Sequence, residues 1–185
     1  MIPPSNRMTR PFPHNIPDRA ILSMAILVAL GVLLHRVEAT LPIPSPWIKP
    51  GFANIMTLIA LVLLGPGEAL IVAVLRVLLG SMIGGTFLGP TFFLSLAGTL
   101  AATGTMIFVY RKGKGPFGLI GVSLLAAYAH GLAVTSCVYL LFVRQDSIFH
   151  LLPVLFTVAL VSGLMTGALA QNLVFRLKNK GTALS

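Results

Sequence analysis

The sequence has very few charged residues, and acidic residues are the scarcest of them. Only 9% of its 185 residues are charged and four are acidic, whereas an ordinary soluble domain carries about 25% charged residues. Hydrophobic residues make up 56% of the chain, and its mean hydropathy is +0.95. This composition excludes a soluble domain and indicates an integral membrane protein.

The residue types that build catalytic and metal sites are also scarce. Cys137 is the sole cysteine, so no disulfide framework is possible. The four acids and four histidines are scattered, without the local spacing of a metal site or of paired carboxylates that hold Mg²⁺. No G-x-x-x-x-G-K-[ST] phosphate-binding motif occurs. We therefore predict a protein that is not an enzyme and takes no cofactor or metal, so that another chain supplies any ATP hydrolysis.

The apolar residues fall into six segments. A formal net charge of +9 is compatible with nucleic-acid binding, but the basic residues lie at the ends of apolar runs and form no aromatic-interleaved patch. The segments cover residues 20–34, 52–64, 68–84, 91–109, 117–143 and 148–175. A perpendicular span needs about 20 residues, so the second segment is short. We predict an all-α integral membrane protein, a bundle of six transmembrane helices.

The basic residues also predict the orientation, because basic loops stay in the cytoplasm. Three of the 13 basic residues, Arg36, Lys49 and Arg144, fall on one side, and Arg76 lies inside the third segment. The other nine fall on the opposite side: Arg7, Arg10, Arg19, Arg111, Lys112, Lys114, Arg176, Lys178 and Lys180. Both termini are therefore predicted to be cytoplasmic. Residues 1–18 and 179–185 are predicted to be cytoplasmic tails, and residues 19–178 the transmembrane domain.

A cleaved secretory signal is the alternative interpretation of the amino-terminal end. Val37-Glu38-Ala39, after the first apolar run, loosely resembles a cleavage site. His35 and Arg36 fit poorly before such a site, and five more apolar segments follow. We therefore favour a permanent first helix.

Polar side chains inside the apolar segments are the candidate binding residues. Arg76 lies near the middle of the third segment, where a charge costs about 2.5–3.5 kcal/mol unless it is paired or hydrated. Arg76 has two possible roles: it anchors a ligand through a carboxylate or phosphate, or it caps helix carbonyls inside the bundle. No acidic residue lies within two turns of it along the chain. His130, in the fifth segment, is either a ligand contact or a neutral histidine bonded within the bundle. Tyr128 and Thr135 share a helical face, and such hydroxyls either contact a ligand or bond to their own backbone.

Two loops on the predicted outer side have the makeup of a lid. The first, LPIPSPWIKPGFANIM at residues 41–56, has four prolines that stiffen the backbone, together with Trp47, Lys49 and Asn54. Trp47 is alternatively an interfacial anchor. The second is GGTFLGPTFF at residues 84–93. We predict that the two loops close over one site.

Small residues at four-residue spacing predict close contacts between helices. They are Ala25 and Ala29 in the first segment, Gly80 and Gly84 in the third, Gly98 and Ala102 in the fourth, and Ala159, Gly163 and Gly167 in the sixth. Most of them predict tight packing inside the bundle. For Ala25 and Ala29, the more specific interpretation is a face where a partner protein docks.

The stretch WIKPGFANIMTLIALVLLGPGEALIVAVLRVLLGSMIGGTFLGPTFFLSLAGTL resembles a family of small bacterial membrane proteins. Its most telling pieces are Lys49-Pro50-Gly51, Ala53-Asn54, Gly65-Pro66, Glu68-Ala69, Leu75-Arg76, and Phe93-Leu94-Ser95 with Gly98. The resemblance, over residues 20–177, is to the Gx transporter family, also called heptaprenyl diphosphate synthase component I. Members of this family are similar to the substrate-binding S components of energy-coupling-factor (ECF) vitamin transporters.

The resemblance implies a substrate-capture subunit in the bacterial cytoplasmic membrane that binds a small, vitamin-type molecule from the outer side under loop 41–51. The substrate-binding residues that we expect are Trp47, Lys49, Asn54, Arg76, Ser95, Tyr128, His130 and Thr135. The cations at Lys49 and Arg76 suit an anionic substrate. Ala25 and Ala29 match the small residues that contact a membrane-embedded coupling protein, which two cytoplasmic ATPases drive.

The synthase name implies an alternative function. A catalytic prenyl synthase chain needs aspartate-rich Mg²⁺ motifs, which four scattered acids do not supply. The alternative is therefore a noncatalytic membrane subunit associated with heptaprenyl diphosphate or quinone synthesis.

The predicted topology can be tested by labelling single cysteines in intact cells. Cysteines introduced at Ser45 and Ser147 should react with an impermeant reagent from outside, and one at Lys112 should react only after the membrane is opened. The opposite pattern, or an odd number of crossings, would contradict this orientation.

Overall fold

The protein is an all-α bundle. The computed structural model describes residues 18–40, 51–112, 118–142 and 144–182. The helices in this part of the chain are α1 (Asp18–Thr40), α2 (Ala53–Leu63), α3 (Pro66–Ile83), α4 (Pro90–Lys112), α5 (Gly118–Leu141) and α6 (Leu152–Thr182). A short 3-10 helix, Asp146–Leu151, precedes α6.

Each predicted apolar segment coincides with one of these helices, and the main differences lie at their ends. Helix α1 continues past Leu34 to Thr40, and α6 continues past residue 175 to Thr182. The apolar run underestimates α1 because the polar residues that follow it also pack inside the bundle. The side chain of His35 lies against Gly80 of α3, and that of Arg36 lies against Gly84, which directly follows α3.

Five of the helices are long and apolar enough to cross a membrane. The exception among the described helices is α2, which has 11 residues and a length of only about 16 Å. A hydrocarbon layer about 30 Å thick exceeds that length. The prediction of a membrane domain is therefore confirmed, whereas a full crossing by α2 stays a prediction.

Tight turns fix the relative directions of α2, α3 and α4. Gly65 connects α2 to α3 with a φ of +133°, which favours glycine, and Pro66 opens α3, where a missing N–H is tolerated. Residues 84–89 connect α3 to α4. Two such reversals make α2 and α4 parallel and α3 antiparallel to both. The end of the bundle where α1 ends and α4 begins is called the upper end below.

The main apolar core joins all six helices. It contains Val28 and Val32 from α1, Leu58 from α2, Val72 from α3, Met106 from α4, Ala126 from α5 and Ala170 from α6. Large apolar side chains such as Leu22, Leu79 and Leu164 are instead exposed on the outer surface. Such a surface suits a lipid environment.

Glycines bring α5 and α6 into close contact. A β-carbon at Gly163 would lie 2.8 Å from Cα of Leu124, and one at Gly167 would lie 2.7 Å from Cα of Ile120. The two backbones therefore meet where α6 has no side chain. The hydroxyls of Ser123 and Thr166 add a hydrogen bond of 2.7 Å between the same helices. These contacts agree with the predicted internal packing of the sixth segment.

Replacing Gly167 by alanine should destabilise the bundle. The new methyl group would meet backbone atoms of α5, which are unable to rotate away, and overpacking of this kind costs about 1–3 kcal/mol. Gly104→Ala is the matched control, since nothing lies within 4 Å of a β-carbon there, and this change should stabilise helix α4 by about 0.5–1 kcal/mol. Reversible unfolding in mixed detergent micelles would measure both. Equal effects of the two substitutions would contradict the close α5–α6 contact.

Candidate functional site

The guanidinium of Arg76 is buried in the bundle and joins three helices. Arg76 is only 3% exposed. Its Nη2 donates a hydrogen bond of 3.1 Å to Oδ1 of Asn54 in α2 and one of 3.2 Å to Oγ1 of Thr99 in α4. Hydrogen bonds to a charged group are stronger than those between neutral groups. The charge on α3 is thus stabilised by side chains of its two neighbours in the chain.

Gly31 of α1 makes room for the arginine stem. A β-carbon at this position would lie 3.1 Å from Cδ and 3.3 Å from Cγ of Arg76. Helix α1 therefore packs directly against the aliphatic part of the side chain. Four helices, α1 to α4, meet around Arg76.

Glu38 supplies a buried carboxylate near this cluster. It is 5% exposed, and its Oε1 accepts a hydrogen bond of 3.3 Å from the backbone N–H of Ala53. A carboxylate at the first residue of α2 also benefits from the positive end of the helix dipole. Glu38 attracts the Arg76 guanidinium electrostatically. The end of α1 thus adds a negative charge to the surroundings of Arg76.

These contacts place the start of α2 below the upper end of the bundle. Asn54, the second residue of α2, lies level with Arg76 because the two side chains are bonded. The last residue of α3, Ile83, is seven residues further along the helix, which corresponds to about 10 Å. The polar cluster therefore lies at the depth where α2 begins, well inside the bundle.

A stripe of hydroxyl groups on α4 and a histidine on α5 adjoin the cluster. Ser95, Thr99 and Thr103 follow one another at four-residue spacing and are all buried. His130 lies flat against the neighbouring backbone: a β-carbon at Gly98 would be 2.7 Å from its Nδ1. The glycine therefore allows the imidazole of α5 to reach α4 beside Thr99.

Helix α6 approaches the chain just before α2. A β-carbon at Gly51 would lie 3.2 Å from the hydroxyl oxygen of Ser162. Gly51 has a φ of +76°, so a larger residue would be strained there as well. The segment that enters α2 thus passes close to α6.

Comparison with known proteins supports one family. The sequence matches heptaprenyl diphosphate synthase component I over residues 27–173. The chain belongs to this family. No curated protein matches the chain in sequence.

A solved structure resembles the fold of this family member. This structure is reported as "Structure and mechanism of the S component of a bacterial ECF transporter". It aligns with this chain with a TM-score of 0.69 at 16% sequence identity. The match covers 88% of this chain and 96% of the other. At this identity the likeness shows a shared fold.

The fold brings together only part of the predicted site. Asn54 and Arg76 are in direct contact. Ser95 lies one turn from Thr99, and His130 lies against Gly98. Trp47 and Lys49 lie outside the described residues.

Tyr128 and Thr135 have other neighbours in this structure. The ring of Tyr128 packs edge to face against Phe156 of α6, with centroids 5.2 Å apart. The hydroxyl of Thr135 donates to the carbonyl of Gly131 on its own helix, at 2.9 Å. This is the backbone-bonded alternative that the sequence left open for hydroxyls in α5.

Glu38 and Thr99 are the members of the cluster that the sequence did not single out. Thr99 belongs to a visible pattern of Ser and Thr at every fourth position of α4. Glu38 is conspicuous only as one of four acids in the chain. Neither pattern says which helix faces Arg76.

Ala25 and Ala29 lie on the exposed face of α1, together with Leu22, Ile26 and Leu33. Gly31 lies on the opposite, buried face. The two alanines therefore do not serve packing inside this bundle. Among the described residues, no group of three or more His, Cys, Asp or Glu side chains is placed to hold a metal ion.

Thr99→Val should destabilise the protein by about 1.5–3 kcal/mol, because it removes the acceptor of a hydrogen bond from a buried charged group without changing side-chain shape. Thr157→Val is the control. Its hydroxyl is exposed and bonds to Val154 of its own helix, so we expect a change within about 0.5 kcal/mol. Unfolding in mixed micelles would measure both variants. Equal stabilities would show that Thr99 does not support Arg76.

Proposed function

We propose that the protein is the substrate-capture subunit of an uptake transporter for a small molecule in the bacterial cytoplasmic membrane. The observation that carries the proposal is the buried cluster of Arg76, Asn54 and Thr99 in the upper half of the bundle. Its support is the fold shared with an ECF transporter S component. In this proposal the cluster lies deep in the binding site.

The cluster offers a substrate one cation and several hydrogen-bonding groups in a region shielded from water. A guanidinium in such surroundings binds a carboxylate or phosphate through charge-assisted hydrogen bonds. Glu38 offsets part of the positive charge, but its carboxylate already accepts from Ala53. We propose that Arg76 retains donors for a substrate with an anionic group.

The lid of the proposed site is formed by loop 41–51, with Trp47 and Lys49, and by the turn at residues 84–89. The turn is apolar: Phe87 packs edge to face on Phe92, with ring centroids 5.1 Å apart, and Leu88 is largely exposed. An aromatic and apolar cover would shield the cluster from water. His130 and Ser95 are proposed as further contacts on the side of α4 and α5.

A membrane-embedded coupling protein, with cytoplasmic ATPases, is the proposed partner. Ala25 and Ala29 form a small-residue patch on the exposed face of α1, which allows another helix to approach closely. A capture subunit that holds its substrate also needs another component to release it on the other side. The patch on α1 is the proposed contact for that component.

The family description favours a second candidate function, that of a noncatalytic membrane subunit associated with heptaprenyl diphosphate synthesis. The two proposals differ in their ligand and partner. Native mass spectrometry of the gently purified protein distinguishes them: a small water-soluble molecule supports capture for transport, and a prenyl lipid or a synthase chain supports the second function.

Arg76 substitutions test the proposed site. Arg76→Lys keeps the charge but loses the two-pronged geometry of the guanidinium, so the co-purified molecule should bind roughly ten- to a hundredfold more weakly, as expected for loss of charge-assisted hydrogen bonds. Lys49→Ala should weaken binding less, because a lysine in an outer loop is more hydrated. Isothermal titration of the molecule identified by mass spectrometry would measure both.

Stability must be followed in the same Arg76 variants. A folded Arg76→Gln protein that binds as tightly as the wild type would overturn the role of Arg76 as an anchor, and with it the anionic substrate. Loss of folding in every Arg76 variant would instead favour a structural role.

Ala29→Leu tests the proposed partner surface. The added bulk should abolish recovery of the coupling protein in a pull-down while substrate binding stays intact, because position 29 faces away from the cluster. Ala168→Leu adds the same bulk to another exposed position, on α6, and should leave the complex intact. An unchanged complex in Ala29→Leu would place the contact elsewhere.

A further inference from the structure

Three buried polar atoms, one in the cluster and two below it, lack a hydrogen-bond partner within the described residues. They are Nε of Arg76 and the hydroxyl oxygens of Thr57 and Thr103. Thr57 is 0% exposed and Thr103 is 1% exposed. Unpaired buried polar groups are costly, so native structures usually satisfy them with protein, water or ligand.

The two threonines lie on the same side of the Arg76 guanidinium. Thr57 follows Asn54 by three residues on α2, and Thr103 follows Thr99 by four residues on α4. Asn54 and Thr99 accept hydrogen bonds from the same nitrogen, Nη2 of Arg76. Because α2 and α4 run parallel, each threonine is about 5 Å further from the upper end than the residue bonded to Nη2. Both threonines are thus one turn below the cluster.

Two other buried threonines of this bundle, Thr135 and Thr166, bond to a carbonyl of their own helix. Thr135 donates to Gly131, and Thr166 donates to Ser162. Threonine in a membrane helix commonly forms such bonds. Thr57 and Thr103 form none, so their hydroxyls are directed to a different partner.

Apolar residues are neighbours of these polar residues along α3 and α4. One turn below Arg76 on α3 lie Val72 and Ala73, both fully buried, and Met106 lies buried about one turn below Thr103 on α4. The three unpaired atoms therefore lie at the border between the polar cluster and the apolar core.

We propose that Thr57, Thr103 and Nε of Arg76 form an inner subsite that binds one small oxygen-bearing group. The N–H of Arg76 can only donate, whereas each hydroxyl can donate or accept. A water molecule that accepts from Nε–H of Arg76 and from one hydroxyl, and donates to the other hydroxyl, would satisfy all three groups, and three bonds are typical of a buried water molecule. The carboxylate of a substrate only accepts, but its two oxygens together can accept from all three groups; that source rests on the proposed capture function, whereas water does not.

A double-mutant cycle in protein freed of ligand by dialysis tests the subsite. Thr57→Val and Thr103→Val each remove a hydroxyl without changing side-chain shape, and each should lower the melting temperature by about 2–4 °C. The double variant should lose less than the sum of the two, because either change already removes the shared group. Thr57→Val combined with Thr157→Val on α6 is the control pair and should be additive.

The outcome depends on the sign of the change in melting temperature and on whether the two changes are additive. A rise in melting temperature in both variants would show dry, unsatisfied hydroxyls and overturn the proposal. Additive losses would overturn it as well, because they would show that Thr57 and Thr103 bind separate partners.

Acetate distinguishes the two sources of the oxygen once coupling is found. In a buffer without carboxylates, added acetate should raise the melting temperature of the wild type but not of the double variant if the subsite accepts a carboxylate. Coupling without any acetate effect identifies water as the bound group. Neither result depends on uptake or on a coupling protein, so failure of the capture function leaves the subsite testable.

Discussion

One buried guanidinium organises the first four helices. A charge at membrane depth costs about 2.5–3.5 kcal/mol, while each hydrogen bond to a charged group contributes about 1.5–3 kcal/mol. Two bonds from Nη2 of Arg76, to Asn54 and Thr99, are therefore of the size needed to offset the cost. The same bonds set the heights of α2, α3 and α4 relative to one another. Gly31 then lets α1 close over the arginine stem.

The fold class was accessible from the sequence because it depends on properties of single segments. Apolar length predicts helices in lipid, and each segment is found as a helix. The carboxyl-terminal end of α1 was harder to predict, because His35, Arg36 and Glu38 are polar yet pack against α2 and α3. The site depends on contacts between helices. Arg76 stood out because it interrupts an apolar run, but its partners Thr99 and Glu38 come from other helices, and no periodicity along α3 points to them.

The structure separates side chains that the sequence placed together. Tyr128 packs against Phe156 and Thr135 bonds within its helix, whereas His130 reaches α4 at Gly98. The difference arises because a helix presents its faces to different neighbours, and only the packing determines which face meets the cluster. Conversely, Ala25 and Ala29 face outward although their spacing is the same as that of Gly163 and Gly167, which face α5. Equal spacing in the sequence thus corresponds to opposite environments.

The short length of α2 has a consequence for the way the chain enters the membrane. With 11 residues, α2 is too short to be recognised as a spanning segment during synthesis. Helix α3 is long enough but carries Arg76, which would meet lipid without a partner if α3 were inserted alone. The turn at Gly65 and Pro66 keeps the two segments adjacent, and Asn54 can bond to Arg76 as soon as both are made. Helices α2 and α3 should therefore be inserted as one hairpin, with the polar pair already closed before α4 arrives.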